Sequence, residues 1–182
     1  MSHAPAQPGV ARQRRRARVL AFQTLYESDL SGHAPAEVLD RLCEELRVGE
    51  EARDYARELV RGVLESHQEI DARIVDLARA WPIDQMSVVD RNLLRLGIFE
   101  TTHNSSTIPV AVAINEAVEL AKLYGSDASS RLINGVLGNV AAESGTGTGQ
   151  PTMKEGPSQM PVRQRALPTG REKPKLKARK QE

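Results

Sequence analysis

Between Val19 and Val140 the apolar residues return every three or four positions, and a chain patterned this way buries them by packing helix on helix. Val19, Ala21, Phe22, Leu25, Tyr26 and Leu30 fall on one side of a first helix, with Gln23, Thr24, Glu27 and Ser28 opposite. Ser31-Gly32 ends that pattern. It resumes from Ala34 to Arg47 through Val38, Leu39, Leu42 and Leu46, and Gly49 breaks it again. Glu50 to about Trp81 is longer than an ordinary helix, so a break at Ser66-His67 is expected, and Trp81-Pro82 stops the stretch because a residue before proline is pushed out of helical geometry. Ser87 with Asp90 three positions on reads as an N-cap of the capping-box type, opening a helix faced by Val89, Leu93, Leu96 and Gly97. Asn104, Ser105 and Ser106 read as a loop. Ile108 to Ile114 alternates like a strand, but the helical period runs on through Ala117, Val118, Ala121 and Tyr124 to a stop at Gly125. Asp127 is then the expected cap of a last helix whose core face is Ile133, Val136, Leu137 and Val140. The fold class is all-α, with about seven helices.

Only six aromatic residues serve the whole chain, so its packing rests on Leu, Val, Ile and Ala in close helix–helix contacts. Gly135 and Gly138 weaken the last helix by about 1 kcal/mol each relative to alanine, and close approach of another helix is the expected compensation, with a ligand against the backbone as the sharper alternative. From Ser144 to Glu182 there is no aromatic residue, and five glycines and five prolines interrupt the chain. Such a segment buries too little apolar surface to offset its ordering entropy and is expected to be disordered. The expected organisation is a flexible leader over 1–11, a helical domain over 12–143 and a basic tail over 144–182.

Charge is distributed unevenly along the chain. Residues 1–20 carry five arginines and no acid, residues 21–143 carry 11 Lys/Arg against 21 Asp/Glu, and residues 144–182 carry nine against three. Arg12, Arg14, Arg15, Arg16 and Arg18 all precede the first acid, Glu27, and sit in the opening of the first helix. Helical projection puts Arg14, Arg15 and Arg18 toward the apolar side, so this turn must extend beyond the core. Cations here oppose the helix macrodipole unless an anion shares the site, and nucleic-acid phosphate is the leading candidate. A solvated basic terminus is the competing reading. The tail, with Lys173, Lys175, Lys177, Arg179 and Lys180, reads as a solubilising extension.

The sequence carries little catalytic vocabulary. It lacks a P-loop, a nucleophile elbow and a metal-binding helix motif, and Gly145-Thr146-Gly147-Thr148-Gly149 lacks the strand–turn–helix context that cradles phosphate. A single cysteine, Cys43, excludes an internal disulfide and reads as a small core residue. His67 and Asp71 are one helical turn apart but lack further ligands; His3, His33 and His103 fall in loops or tails. Glu116 with Glu119, and Glu44 with Glu45, read as solvated helix faces. No segment approaches the roughly 18 apolar residues of a membrane span, and the N-terminus lacks a signal-peptide apolar stretch. A cytoplasmic protein that is neither an enzyme nor cofactor-dependent is expected.

Four stretches taken together resemble one family. Arg14-Arg15-Arg16-Ala17-Arg18 with Gln23 and Leu25-Tyr26 is the first, and Val89-Asp90-Arg91 through Leu94-Arg95-Leu96-Gly97 to Glu100 the second. Val112-Ala113-Ile114-Asn115-Glu116-Ala117-Val118-Glu119-Leu120-Ala121-Lys122 and Ile133-Asn134-Gly135-Val136-Leu137 complete the set. In order and spacing these resemble the NusB transcription antitermination proteins, from about Arg14 to Val140. The resemblance implies two small helical bundles, one from the first helices and one from those after Trp81. It implies binding of the boxA element of ribosomal RNA leader transcripts together with NusE, a small-subunit ribosomal protein, in a complex that joins elongating RNA polymerase. Arg14, Arg15 and Arg16 match the family's basic RNA-binding start, and Arg18 and Arg131 extend that RNA-binding set; Tyr26 and Asp90 match positions of the NusE-facing surface. The chain departs from the family pattern at Ala128, where an acid is common, at Leu132, where an aromatic residue could serve as a base-stacking platform, and at Ala111, where lysine is common. Two alternatives stand beside this reading: a detached recognition module like those fused to RNA cytosine methyltransferases, and a helical scaffold that self-associates as a homo-oligomer.

Overall fold

The computed structural model describes residues 8–103 and 108–143. Seven α-helices account for them: α1 (Pro8–Ser31), α2 (Pro35–Glu45), α3 (Glu50–Glu65), α4 (His67–Leu77), α5 (Val88–Thr102), α6 (Val110–Tyr124) and α7 (Ser129–Glu143). No strand occurs among the described residues. The Asn104–Ser106 loop and the tail from Ser144 lie outside them.

Most helix ends follow the local chemistry of the sequence. α1 stops where Gly32 takes a positive φ of 73°, which glycine adopts without steric cost. Ser66 separates α3 from α4, as expected. At the start of α5 the Asp90 amide donates to Ser87 Oγ at 3.0 Å, which caps the helix, and the Ser87 hydroxyl donates to Asp90 Oδ2 at 2.8 Å, so the carboxylate takes the hydroxyl and not the Ser87 amide of a full capping box. The stretch around Ile108 resolves in favour of helix, with Pro109 at the N-cap of α6.

Other ends differ from expectation. α1 begins at Pro8, inside the stretch assigned to a flexible leader, because proline is pre-organised for a first helical turn. α4 ends at Leu77 rather than at Trp81-Pro82, since the chain enters a turn in which the Trp81 amide bonds the Ala78 carbonyl at 2.7 Å. The bonds that order the entry to α7 come from Ser126, whose amide donates to Ser129 Oγ at 2.8 Å; Asp127 is exposed. Leu30, assigned to the core side of α1, is 54% exposed.

Helix α5 organises the packing. Every residue from Asn92 to Thr101 is buried, so the helix is surrounded and not merely one-sided. It packs on α1, α3, α4, α6 and α7, while α1 also packs on α2 and α3, and α6 on α7. The two helical groups therefore share α5 and one continuous apolar core, running from Ala17, Leu20 and Phe22 through Leu59 and Leu93 to Ile133 and Val140. Cys43 is fully buried within it.

Two glycines permit close approach between helices. A Cβ on Gly62 would meet the Phe99 ring at 2.0 Å, and one on Gly97 would meet Leu137 Cδ1 at 2.6 Å. Gly138 behaves differently from expectation: a Cβ there meets nothing within 4 Å, so no neighbouring helix demands glycine at that position.

Candidate nucleic-acid interface

The arginine-rich end of α1 separates into residues that face water and one that does not. Arg12, Arg15 and Arg16 are exposed and Arg14 is half-buried, so the first turns do extend past the core as helical projection requires. Arg16 Nη2 donates to the Leu46 carbonyl at 2.7 Å, which ties this end of α1 to the α2–α3 connection. Arg15 stands near enough to α6 to help hold the Glu119 carboxyl below its ordinary range, behind the larger effect of the Lys122 ammonium hydrogen-bonded to it at 2.6 Å. The Arg14 guanidinium lies over the Tyr55 ring of α3, 5.6 Å from its centroid.

Arg18 is a correction. Expected among the RNA-binding arginines, it is only 3% exposed, and its Nε donates to both oxygens of Glu100 at 2.9 and 2.8 Å. Glu116 lies 3.8 Å from its Nη1. Burial alone would lower the guanidinium's affinity for its proton; the hydrogen bond and charge of Glu100 outweigh that, and its pKa is raised. A cation so enclosed and neutralised by protein carboxylates is a structural fastener between α1 and α5 and does not reach phosphate.

Tyr55, on α3, joins this cluster. Its hydroxyl donates to Glu100 Oε1 at 2.6 Å. Burial first, then the adjacent Glu100 carboxylate, raises the pKa of that hydroxyl well above its ordinary value. Arg18 lies 5.9 Å from the ring centroid, so two guanidinium groups one turn apart on α1 approach the same ring.

Arg131 is exposed in the first turn of α7, a helix that packs on α4, α5 and α6. Its neighbour Leu132 is 3% exposed and belongs to the core. The departure at that position therefore concerns packing, and Leu132 is not the site of a base-stacking platform. Ala111, by contrast, is exposed.

Tyr26 and Asp90 flank a polar link between α1 and α5. The Tyr26 ring is half-buried, tilted against Phe22 with centroids 6.0 Å apart. Three residues on, Asp29 Oδ2 accepts from Asn92 Nδ2 at 3.0 Å, Arg95 Nη1 at 3.2 Å and Arg91 Nη2 at 3.3 Å. Asp90, next to Arg91, spends one carboxylate oxygen on the Ser87 cap, while Oδ1 is buried with no hydrogen-bond partner among the described residues. Arg95 extends the link to α4 through a bidentate pair with Asp71, both bonds 2.8 Å. Asp71 is thus committed to a guanidinium, and the His67 ring stands 3.6 Å from its Oδ2, one turn away on the same helix. Among the described residues no group of three or more His, Cys, Asp or Glu side chains could hold a metal ion.

The family model described as the NusB family matches residues 15–142. A transcription antitermination protein NusB of Dehalococcoides mccartyi is 46% identical over 128 residues, covering 70% of this chain and 89% of the relative. Among solved structures, NusB of T. maritima superposes with a TM-score of 0.67 at 34% identity, covering 71% of this chain and 91% of that one. A chain from the crystal structure of the antitermination factors NusB and NusE in complex with dsRNA superposes with a TM-score of 0.66 at 32% identity, covering 72% and 98%.

Proposed function

This chain belongs to the NusB family, and from that premise we propose that it is a transcription antitermination factor. It binds the boxA element of ribosomal RNA leader transcripts together with NusE and joins the elongating RNA polymerase as an adaptor without catalysis. One observation carries the RNA role: Arg12, Arg15 and Arg16 are exposed and Arg14 half-buried at one end of α1, while the buried Arg18 is already neutralised. Arg14, Arg15 and Arg16 supply phosphate contacts, and Arg131 adds one from α7. Tyr26, Asp90 and the Asp29–Arg91 link offer the surface for NusE. No helix among the described residues is long and apolar enough to cross a membrane. The match to nearly the whole of a free-standing NusB supports this reading over a module detached from an RNA methyltransferase.

The test is binding of single-stranded boxA RNA across a salt series. Each neutralised phosphate contributes about −0.7 to the log–log slope on a single strand, so replacing Arg14, Arg15 and Arg16 with alanine flattens the slope by about 2. Binding insensitive to salt, or unchanged in the triple variant, overturns the RNA role. Capture of NusE by the chain, strengthened by boxA RNA, checks the partner role; self-assembly without NusE capture points to a scaffold instead.

A further inference from the structure

Single-stranded RNA is held by two kinds of contact, cations on its phosphates and flat rings on its unstacked bases. The first turns of α1 offer the cations. A ring stands at the same end of the molecule: His103, the C-cap residue of α5. α1 and α5 run antiparallel, since Asp29 bonds Asn92 whereas Arg18 bonds Glu100. One turn past Glu100 therefore lies level with one turn before Arg18, where Arg14 and Arg15 stand. Both stretches are free of acid in the sequence, which has no Asp or Glu from Met1 to Tyr26 or from Thr101 to Asn115. Glu100 and Glu116, which bracket the second stretch, both face Arg18.

His103 is held as a platform would be. Its ring stacks on Phe99 with centroids 5.2 Å apart and planes 15° from parallel, and Phe99 is itself buried against Gly62. The Thr102 hydroxyl gives its hydrogen to the Ile98 carbonyl at 2.7 Å, so it accepts from His103 Nδ1–H, also at 2.7 Å, and fixes the rotation of the ring. One face of the imidazole is covered by Phe99 while the residue remains exposed, which turns the other face to water. We propose that His103 is a base-stacking residue of the RNA site: an unpaired base lies on the open face of the imidazole while the arginines of α1 hold the adjoining phosphates. The inference rests on the RNA role assigned above and adds to it a contact with a base.

The test uses the full chain and a short single-stranded boxA RNA, either intact or carrying one abasic nucleotide at successive positions. His103→Ala weakens binding of the intact RNA about five- to tenfold, the lower part of the range for base–aromatic stacking because imidazole is a small ring. The salt slope stays as it was, since no phosphate contact is lost. One abasic position weakens binding to the native chain by a similar factor and costs nothing further in His103→Ala, a coupling that a merely structural role would not produce. His103→Phe, which keeps a ring, retains the affinity, and His103→Lys, which offers only a charge, behaves like alanine. Should His103→Ala fail to fold, the lysine variant takes its place in the cycle. Unchanged affinity in His103→Ala overturns the inference, as does a set of abasic RNAs that native and variant chains rank alike. Rescue by lysine and not by phenylalanine also overturns it, because the residue then meets phosphate. The two proposals fail separately. Binding that ignores Arg14, Arg15 and Arg16 overturns the RNA role itself, whereas arginine-dependent binding with no coupling between His103 and any base overturns only the role of His103.

Discussion

Replacing Glu100 with leucine strips the Arg18 guanidinium of its nearest carboxylate while leaving it sealed in the core. In the native structure Arg18 and the Glu100 side chain are 3% and 2% exposed, and their closest approach is 2.8 Å. Removing one partner of a buried pair strands the other charge, at a cost of about 3–5 kcal/mol. The Tyr55 hydroxyl loses its acceptor as well, which adds about 1–3 kcal/mol. Two effects act in the opposite direction: Glu116, 3.8 Å from Arg18, moves toward the vacated charge, and leucine adds apolar burial. The net expectation is about 3–5 kcal/mol of lost stability. With a urea m-value of about 2 kcal/mol/M, the midpoint monitored by circular dichroism falls by roughly 2 M. The companion variant, Arg18→Met with Glu100→Leu, removes both charges and returns to within about 1–2 kcal/mol of the native protein, because an apolar replacement of a buried pair is often close to neutral. A loss below about 1 kcal/mol in the single variant refutes this reasoning. So does a double variant no more stable than the single one.

Two further predictions concern stability. Gly97→Ala forces a Cβ to within 2.6 Å of Leu137 in a full core and destabilises by about 1–3 kcal/mol, whereas Gly138→Ala places its Cβ in open space within a helix and stabilises by up to about 1 kcal/mol; opposite shifts in melting temperature check the pair. The raised pKa of Tyr55, with a smaller upward shift at Tyr124 from burial, means the folded state keeps protons that the unfolded chain releases near pH 10. The associated stability is complete below about pH 10 and declines as pH rises beyond it, by at most about 1.4 kcal/mol per pH unit for each retained proton. Urea titrations between pH 9 and 11 are expected to show a shallower decline in Tyr55→Phe, and an unchanged slope refutes the assignment.

Features set by neighbours in the chain were legible in the sequence. The Ser87–Asp90 cap, the Ser66 break and the Gly32 stop each depend on residues within a turn of one another, and each stands where expected. Helical projection likewise turned Arg18 toward the apolar side. What it did not supply was the carboxylate waiting there, because Glu100 lies 82 residues away and nothing local marks the pairing. Tyr55 was hidden for the same reason: an i, i+4 apolar pattern describes its ring and is silent about its hydroxyl. Leu132 was expected to lack a base-stacking ring, and what the sequence did not show is that its side chain belongs to the core. The turn from Ala78 to Trp81 replaced an expected helical end because one backbone bond redirects the chain before proline acts.

The 82-residue separation between Arg18 and Glu100 also orders events in time. At about 5–20 residues per second of synthesis, the cation emerges roughly 4–16 s before the anion that neutralises it. Until then α1 to α4 have no α5 to close around, and Arg18 keeps its water. The arginine-rich end of α1 thus completes its docking only after α5 has left the ribosome, so a nascent chain interrupted before Glu100 carries a more mobile cationic helix than the finished protein.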